Sequence, residues 1–390
     1  MNNIVFERQN GNIPKTLAGE DHISGYLAYV TAFPSGFSKN DPIHAVSTID
    51  TAESLGITSD SDNWEIKVLH YQLSEIFRIN PGISLYVGLF SRPSGEYTFT
   101  EIKKMQNYTG GKIRQIAVYL GDVEMTADHL TALQGIATAL ANEDAPLSIL
   151  FAPKISSVTD LRKDVAGANK MNVSVVIGQA GSGRGLNLFS DEANTQKNSV
   201  TGIGVVLGLL SLSAVHESIG WVKKFPTGID IPAFSDGTLY RDLDNAVIES
   251  LDSARYLFFV TYSGLTGSYM NDSHTMDEAI SDYAMIENVR TMDKAIRGIR
   301  TYLLPELGGS LYIDPDTGKL QSYTVEHLQD TAGKALEDMQ KAGELSGYSV
   351  EIDPEQNVLS TSCVEFVIKK VGVGVLRHGK VKIGYVESLS

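Results

Sequence analysis

The chain has 390 residues, 42% of them hydrophobic and 20% charged, so it can bury a sizeable core and is no disordered tail. Thirty-two Lys and Arg against 47 Asp and Glu leave a net charge of -15, which disfavours direct binding to nucleic acid or to an anionic membrane. The single cysteine, Cys363, excludes an internal disulfide framework and any multi-cysteine zinc or iron–sulfur site.

Residues 1–20 are polar, include Gly11 and Pro14 and hold no sustained period, so they read as an extended N-terminal arm with no secretory signal. The first strong helix is Trp64 to Phe77, with Ile66, Leu69, Leu73, Ile76 and Phe77 at helical spacing and Asp62 with Glu65 placed as a capping box. Asn80-Pro81-Gly82 stops it, and the apolar run Ile83 to Phe90 follows as a buried strand. The alternation repeats: a strand at Ile113 to Leu120, a helix carrying Leu130, Leu133, Ile136 and Leu140, a strand at Leu147 to Ala152 and another at Val173 to Gly178. Strands alternating with helices at this spacing predict a mostly parallel sheet with helices on both faces.

Val200 to Val215 is the longest apolar stretch, too short and too glycine-rich to span a bilayer, and is expected as a buried core helix. Phe225 to Asp244 reads as a loop, and Tyr256 to Ser263 as a strand that closes an α/β region over residues 21–265, with room for two subdomains. Residues 266–390 change character. A long helix from about Met276 to Leu304 and a second from Thr324 to Ala342 precede β-structure at YSVEID, at Ser360 to Leu376 and at Lys380 to Leu389. Val364, Phe366 and Ile368 alternate there with Glu365, Val367 and Lys369. The class is α/β, α+β overall.

A search for chemistry finds no convergent catalytic set. GQAGSGRG, Gly178 to Gly185, follows a predicted strand, but a phosphate-loop alignment puts Arg184 where Lys belongs and Gly185 where Ser or Thr must hold magnesium. It reads as a turn; an α/β ligand- or nucleotide-binding enzyme using loop 178–185 is the alternative. No two histidines have helical metal-ligand spacing, and Ser182 lacks the flanking glycines of a nucleophile elbow. Cys363 sits on an alternating strand as a small buried residue. Asp60-Ser61-Asp62 is an N-cap cluster, and Asp314 to Gly318 a tight hairpin turn. No catalytic residue, cofactor or metal is expected. One feature stands apart: Arg290, Lys294 and Arg297 fall at i, i+4 and i+7, with Arg300 a turn further, a basic helical stripe on an acidic protein. It is either a solvated face with local ion pairs or a docking surface for an acidic partner.

The helix ENVRTMDKAIRGIRTYLLPEL, the helix ending KALEDMQKAGELSGYSVEID and the ribbon NVLSTSCVEFVIKKVGVGVLRHGKVKIGYVESL, with the apolar helix GVVLGLLSLSAVHESIGWV, resemble contractile tail sheath proteins of phage tails and related injection machines. The likeness is to a divergent branch found among Bacteroidetes-type prophages, and it is clearest over residues 200–390. The resemblance implies a C-terminal sheath-type domain with extended terminal arms and a structural subunit, not an enzyme, that wraps an inner tail tube as a helical homo-oligomer and contracts. It further implies baseplate and tail-terminator partners, no direct nucleic acid, no membrane insertion, assembly in the bacterial cytoplasm and residence in a virion tail or injection particle. By resemblance, Ile4, Val5 and Phe6 are the apolar content of a donated N-terminal strand. Val381, Ile383 and Tyr385 belong to a donated C-terminal strand, and Arg290, Lys294, Arg297 and Arg300 are candidate contacts to the tube. A non-contractile capsid or adaptor protein is a weaker structural alternative.

Overall fold

A computed structural model of the chain describes residues 19–161, 165, 167 and 169–385. The chain divides into two compact units, Met1–Lys294 and Ala295–Ser390.

The first unit is organised by a strand that contains few obvious signals. β1 (Ser24–Val30, SGYLAYV) is buried at every position. It lies at the centre because it is parallel to β3 (Leu85–Ser91) on one side and β4 (Gln115–Glu124) on the other. β2 (Ile43–Val46) adds antiparallel to β3, and β5 (Ser148–Lys154) and β6 (Val173–Val175) continue the parallel side. The order is β2-β3-β1-β4-β5-β6. Period-two geometry then separates two apolar faces. Tyr26, Ala28, Val87, Leu89 and Leu150 share one core with Leu69, Leu73 and Ile76 of α2 (Trp64–Ile79). Leu27, Tyr29, Ile116, Val118 and Phe151 share the other with α3 (Glu101–Tyr108) and α4 (Ala127–Asn142). The mostly parallel sheet with helices on both faces, read from the alternation of elements, is the observed architecture.

The apolar stretch forms a helix, α6 (Ile203–Leu212), buried at all but its last residue. Its glycines let it lie close to α2: a Cβ on Gly204 would stand 2.4 Å from the Gln72 carbonyl oxygen, and one on Gly208 3.0 Å from Ile79 Cβ. Fully buried Gln72 ties the pair together, donating to the Thr201 carbonyl at 2.6 Å and accepting from the Gly204 N–H at 2.8 Å. Among the described residues no helix is long and apolar enough to cross a membrane.

Several local expectations shift. The α2 N-cap is Asn63, whose side chain accepts from the Glu65 N–H at 2.9 Å. Asp62 is one residue too early for the cap, and Glu65 turns elsewhere. The region read as a loop after Phe225 includes β8 (Pro232–Phe234), antiparallel to β7 (Gly178–Ala180). Tyr256 to Ser263 yields only β9 (Phe259–Val260), paired with β10 (Tyr269–Met270), and a parallel bridge from Leu257 to Val176. The helix expected from Met276 starts at Ile286 and runs to Leu303, because the preceding segment spends its backbone on tertiary bonds such as Met276 N–H to Val173 O. With α1 (Ile49–Ser54), α5 (Gly183–Phe189) and α7 (Asn245–Ser253) ahead of it, this helix is α8.

The second unit is built on α9 (Ser322–Lys341), whose Leu328, Ala332, Ala335, Leu336 and Met339 are buried. Gly298 lies so close to α9 that a Cβ there would meet Ala335 Cβ at 2.7 Å. β11 (Gly347–Glu351) pairs antiparallel with β12 (Val367–Val371), Val350 opposite Ile368. Asp314 to Gly318 forms the expected hairpin turn: Asp314 accepts from the Gly318 N–H, and Ile313 bridges Leu320. Val364, Phe366 and Ile368 pack inward as their alternation indicated. Cys363 does not: it is exposed, one residue after the left-handed Ser362 and before the strand begins.

Candidate assembly surface

In an open parallel sheet a ligand is ordinarily met outside the carboxyl ends of the strands. Here the ends of β1, β3 and β4 converge on one of the protein's own ion-pair networks. Arg92, just past β3, reaches Asp122 of β4 at 2.6 Å and Glu65 of α2 at 2.6 Å. The other Glu65 oxygen accepts from the Thr31 N–H at 2.9 Å and its hydroxyl at 2.8 Å. Burial pushes the Asp122 carboxyl above its ordinary value, against the opposing pull of Arg92.

The glycine loop is likewise used for packing. The Gly181 N–H donates to the Ile231 carbonyl at 2.7 Å, and a Cβ on Gly181 would meet Leu239 at 2.6 Å. A Cβ on Gly178 would meet the Phe258–Phe259 backbone at 3.0 Å and one on Gly185 the Tyr71 hydroxyl at 2.9 Å, while within the loop Gly183 alone needs the left-handed region, at φ 60. Arg184, at the position a phosphate-loop lysine would take, donates instead to His70 Nδ1 at 2.9 Å. His70 is held on its other nitrogen by Glu53 at 2.8 Å.

The basic stripe does not present one face. Arg290 is 4% exposed and donates to the Ser213 hydroxyl at 2.9 Å and the Ser213 carbonyl at 3.3 Å, closing the end of α6. Lys294 pairs with Asp21 at 2.6 Å. Arg297 is half-buried and Arg300 exposed. The i, i+4, i+7 count that gathered these residues is blind to the Ser213 turn that receives the first of them.

The C-terminal segment is the surface feature that remains. Among the described residues the sheet of the second unit has only β11 and β12, so each strand keeps one edge without a strand partner. After Val371 no helix or strand is formed through Tyr385, although the sequence predicts β-structure there. A strand needs a partner for its backbone groups, and among the described residues this segment pairs with no other strand. The side chains stand in solvent: Leu376 is 87% exposed, Val381 84% and Ile383 96%, with Tyr385 fully exposed. Ile4, Val5 and Phe6 lie outside the described residues.

Comparison with known proteins adds three observations. Residues 1–274 match the family model for the DUF2586 N-terminal domain, and residues 282–390 that for the DUF2586 C-terminal domain. A protein of Haemophilus phage HP1 (strain HP1c1), described as "Putative tail sheath protein", is 24% identical over 344 residues, 80% of this chain and 82% of that one. Among solved structures, the sheath complex of an extracellular contractile injection system, PVC, in its contracted state aligns with a TM-score of 0.63 at 12% identity, covering 100% of this chain and 98% of that one. The sheath tail protein from Desulfitobacterium hafniense aligns at 0.52 and 8% identity, over 94% of this chain and 100% of that one. The fold is that of sheath proteins, as the resemblance of the C-terminal third implied.

Proposed function

The chain belongs to the DUF2586 family, and we propose that it is a structural subunit of a contractile tail sheath, polymerising helically around an inner tube and contracting to drive the tube through a target envelope. The observation that carries this reading is the alignment with a contracted-state sheath subunit along the whole chain. It is supported by an open two-stranded sheet beside an exposed apolar C-terminal run, the arrangement strand addition requires. Donated strands, Ile4 to Phe6 at one end and Val381, Ile383 and Tyr385 at the other, complete a neighbour's sheet through backbone hydrogen bonds, a link that can hinge without breaking. Lys294, Arg297 and Arg300, the members of the stripe that are not fully buried, are the candidate contacts to an acidic tube surface, Lys294 in company with Asp21 and Arg290 being committed to Ser213. Baseplate and tail-terminator proteins meet the ends of the polymer, which assembles in the bacterial cytoplasm and works as part of a phage tail or injection particle. No catalysis is needed: the work of contraction is stored in subunit packing.

Negative-stain electron microscopy of the full chain beside a chain beginning at Gly19 tests the reading. Striated hollow tubes from the full chain, alone or seeded with tube, and none from the shortened one are the expected result. Unaltered tube formation by Ile4→Asp, Val5→Asp and Phe6→Asp variants would remove the N-terminal strand from the proposal.

A further inference from the structure

The C-terminal segment has a charge opposite to that of the protein. Between Glu365 and Glu387 the sequence holds Lys369, Lys370, Arg377, Lys380 and Lys382 and no carboxylate, while the chain as a whole stands at -15. The rest of the molecule, taken together, therefore carries the excess acid. At the end of β11 the side chains of Glu351, Asp353 and Glu355 are exposed. Cations already meet acid at this place, since Lys369 pairs with Glu351 at 3.5 Å and Lys319 with Glu355. From Gly372 to Tyr385 the segment does not fold back as a strand on either edge of its own sheet.

We propose that the cationic run Arg377 to Lys382 docks against the acidic end of β11, at Glu351, Asp353 and Glu355, in a second copy of this chain, so that ionic strength sets when subunits join. The inference rests on the sheath reading and adds to it a regulator of assembly. Exposed opposite charges attract over a Debye length, about 10 Å at 0.1 M salt and about 3 Å at 1 M. Lysines spaced along the run bring it to the edge, and backbone pairing then fixes it. Salt separates this from purely apolar docking: screening weakens charge attraction, whereas an excluded salt such as sulfate strengthens apolar burial.

The test measures the critical concentration of the full chain by pelleting and light scattering between about 50 and about 500 mM NaCl. It should rise with NaCl, and K380Q/K382Q at low salt should raise it about 2- to 25-fold, each exposed cation being worth roughly 1.5- to 5-fold. K380R/K382R should assemble like the wild type. K380E/K382E should fail, and E351K/D353K/E355K on the same chain should restore assembly. A critical concentration that stays flat or falls as NaCl rises, or K380Q/K382Q behaving as wild type, overturns the proposal. A chain ending at Val375 separates this from the sheath reading. If it cannot polymerise while salt and lysine variants have no effect, strand addition stands and the electrostatic control falls. If it polymerises normally, the C-terminal strand and the electrostatic control fall while the sheath reading stands; if the wild type forms no polymer at any salt, alone or seeded with tube, the sheath reading falls with them.

Discussion

Replacing Ile383 by Asp tests strand addition with a magnitude that the structure supplies. Ile383 is 96% exposed in the single chain, so the substitution removes almost no contact within the subunit and should change its stability by no more than about 0.5 kcal/mol. If the run joins a neighbour's sheet, period-two geometry sets Val381, Ile383 and Tyr385 on one face, with Lys382 on the other. Burying an isoleucine side chain is worth roughly 1.5–3 kcal/mol. Losing it raises the critical concentration about 10- to 150-fold, and the cost of desolvating the new carboxylate adds to this. Ile383→Val removes one methylene, about 0.8 kcal/mol, and should raise it roughly fourfold. The assay pairs pelleting across a concentration series with a circular-dichroism melt of the dispersed subunit. An Ile383→Asp chain that polymerises at the wild-type concentration, with an unchanged melt, would refute the burial of this face in the assembly.

Within the first unit, Gln72→Leu orphans the Thr201 carbonyl and the Gly204 N–H, each worth roughly 1–3 kcal/mol; the urea midpoint should fall by the equivalent of at least about 1 kcal/mol after the apolar gain, with m unchanged. Gly178→Ala places a Cβ about 3 Å from the Phe258–Phe259 backbone and should cost roughly 1–3 kcal/mol, read in a thermal melt. Stability should also fall on acidification. Burial lowers the pKa of His22 and of His129 below 6.5, so the unfolded chain binds more protons in the window from the folded pKa up to 6.5, and stability present above that window is lost as pH drops through it. Urea midpoints at about pH 7.5 and about pH 5.5 should differ in that direction, and His22→Gln, which can still bond Ser84, should shrink the difference.

The helices and strands with strong local patterns were legible. Leu69, Leu73 and Ile76 declare α2 by their spacing, and the apolar run after Asn80-Pro81-Gly82 declares β3. β1 was not, because Ser24, Gly25 and two tyrosines break both the apolar run and the alternation; its place at the centre follows from two parallel partners more than fifty residues away in sequence. The end of the chain shows the converse. Val381, Ile383 and Tyr385 have the alternation of a strand, yet among the described residues of the single chain they pair with no other strand. The stripe on α8 failed differently: a one-dimensional count of cations cannot see that Ser213 at the end of α6 takes Arg290 inside. The candidate surface was thus visible as composition, while which cations face outward was a tertiary matter.

The C-terminal run also bears on how such a subunit survives before it is used. Within Lys369 to Val386 no more than two apolar residues stand in a row, because Gly372, Gly374, Gly379 and Gly384 and the five cations interrupt them. Steric zippers require uninterrupted, low-charge windows of about six residues. Spaced in this way, the glycines and lysines act as gatekeepers: under the proposed strand addition, the run would wait in solution without templating fibres of itself and pair only where a matching sheet edge is offered.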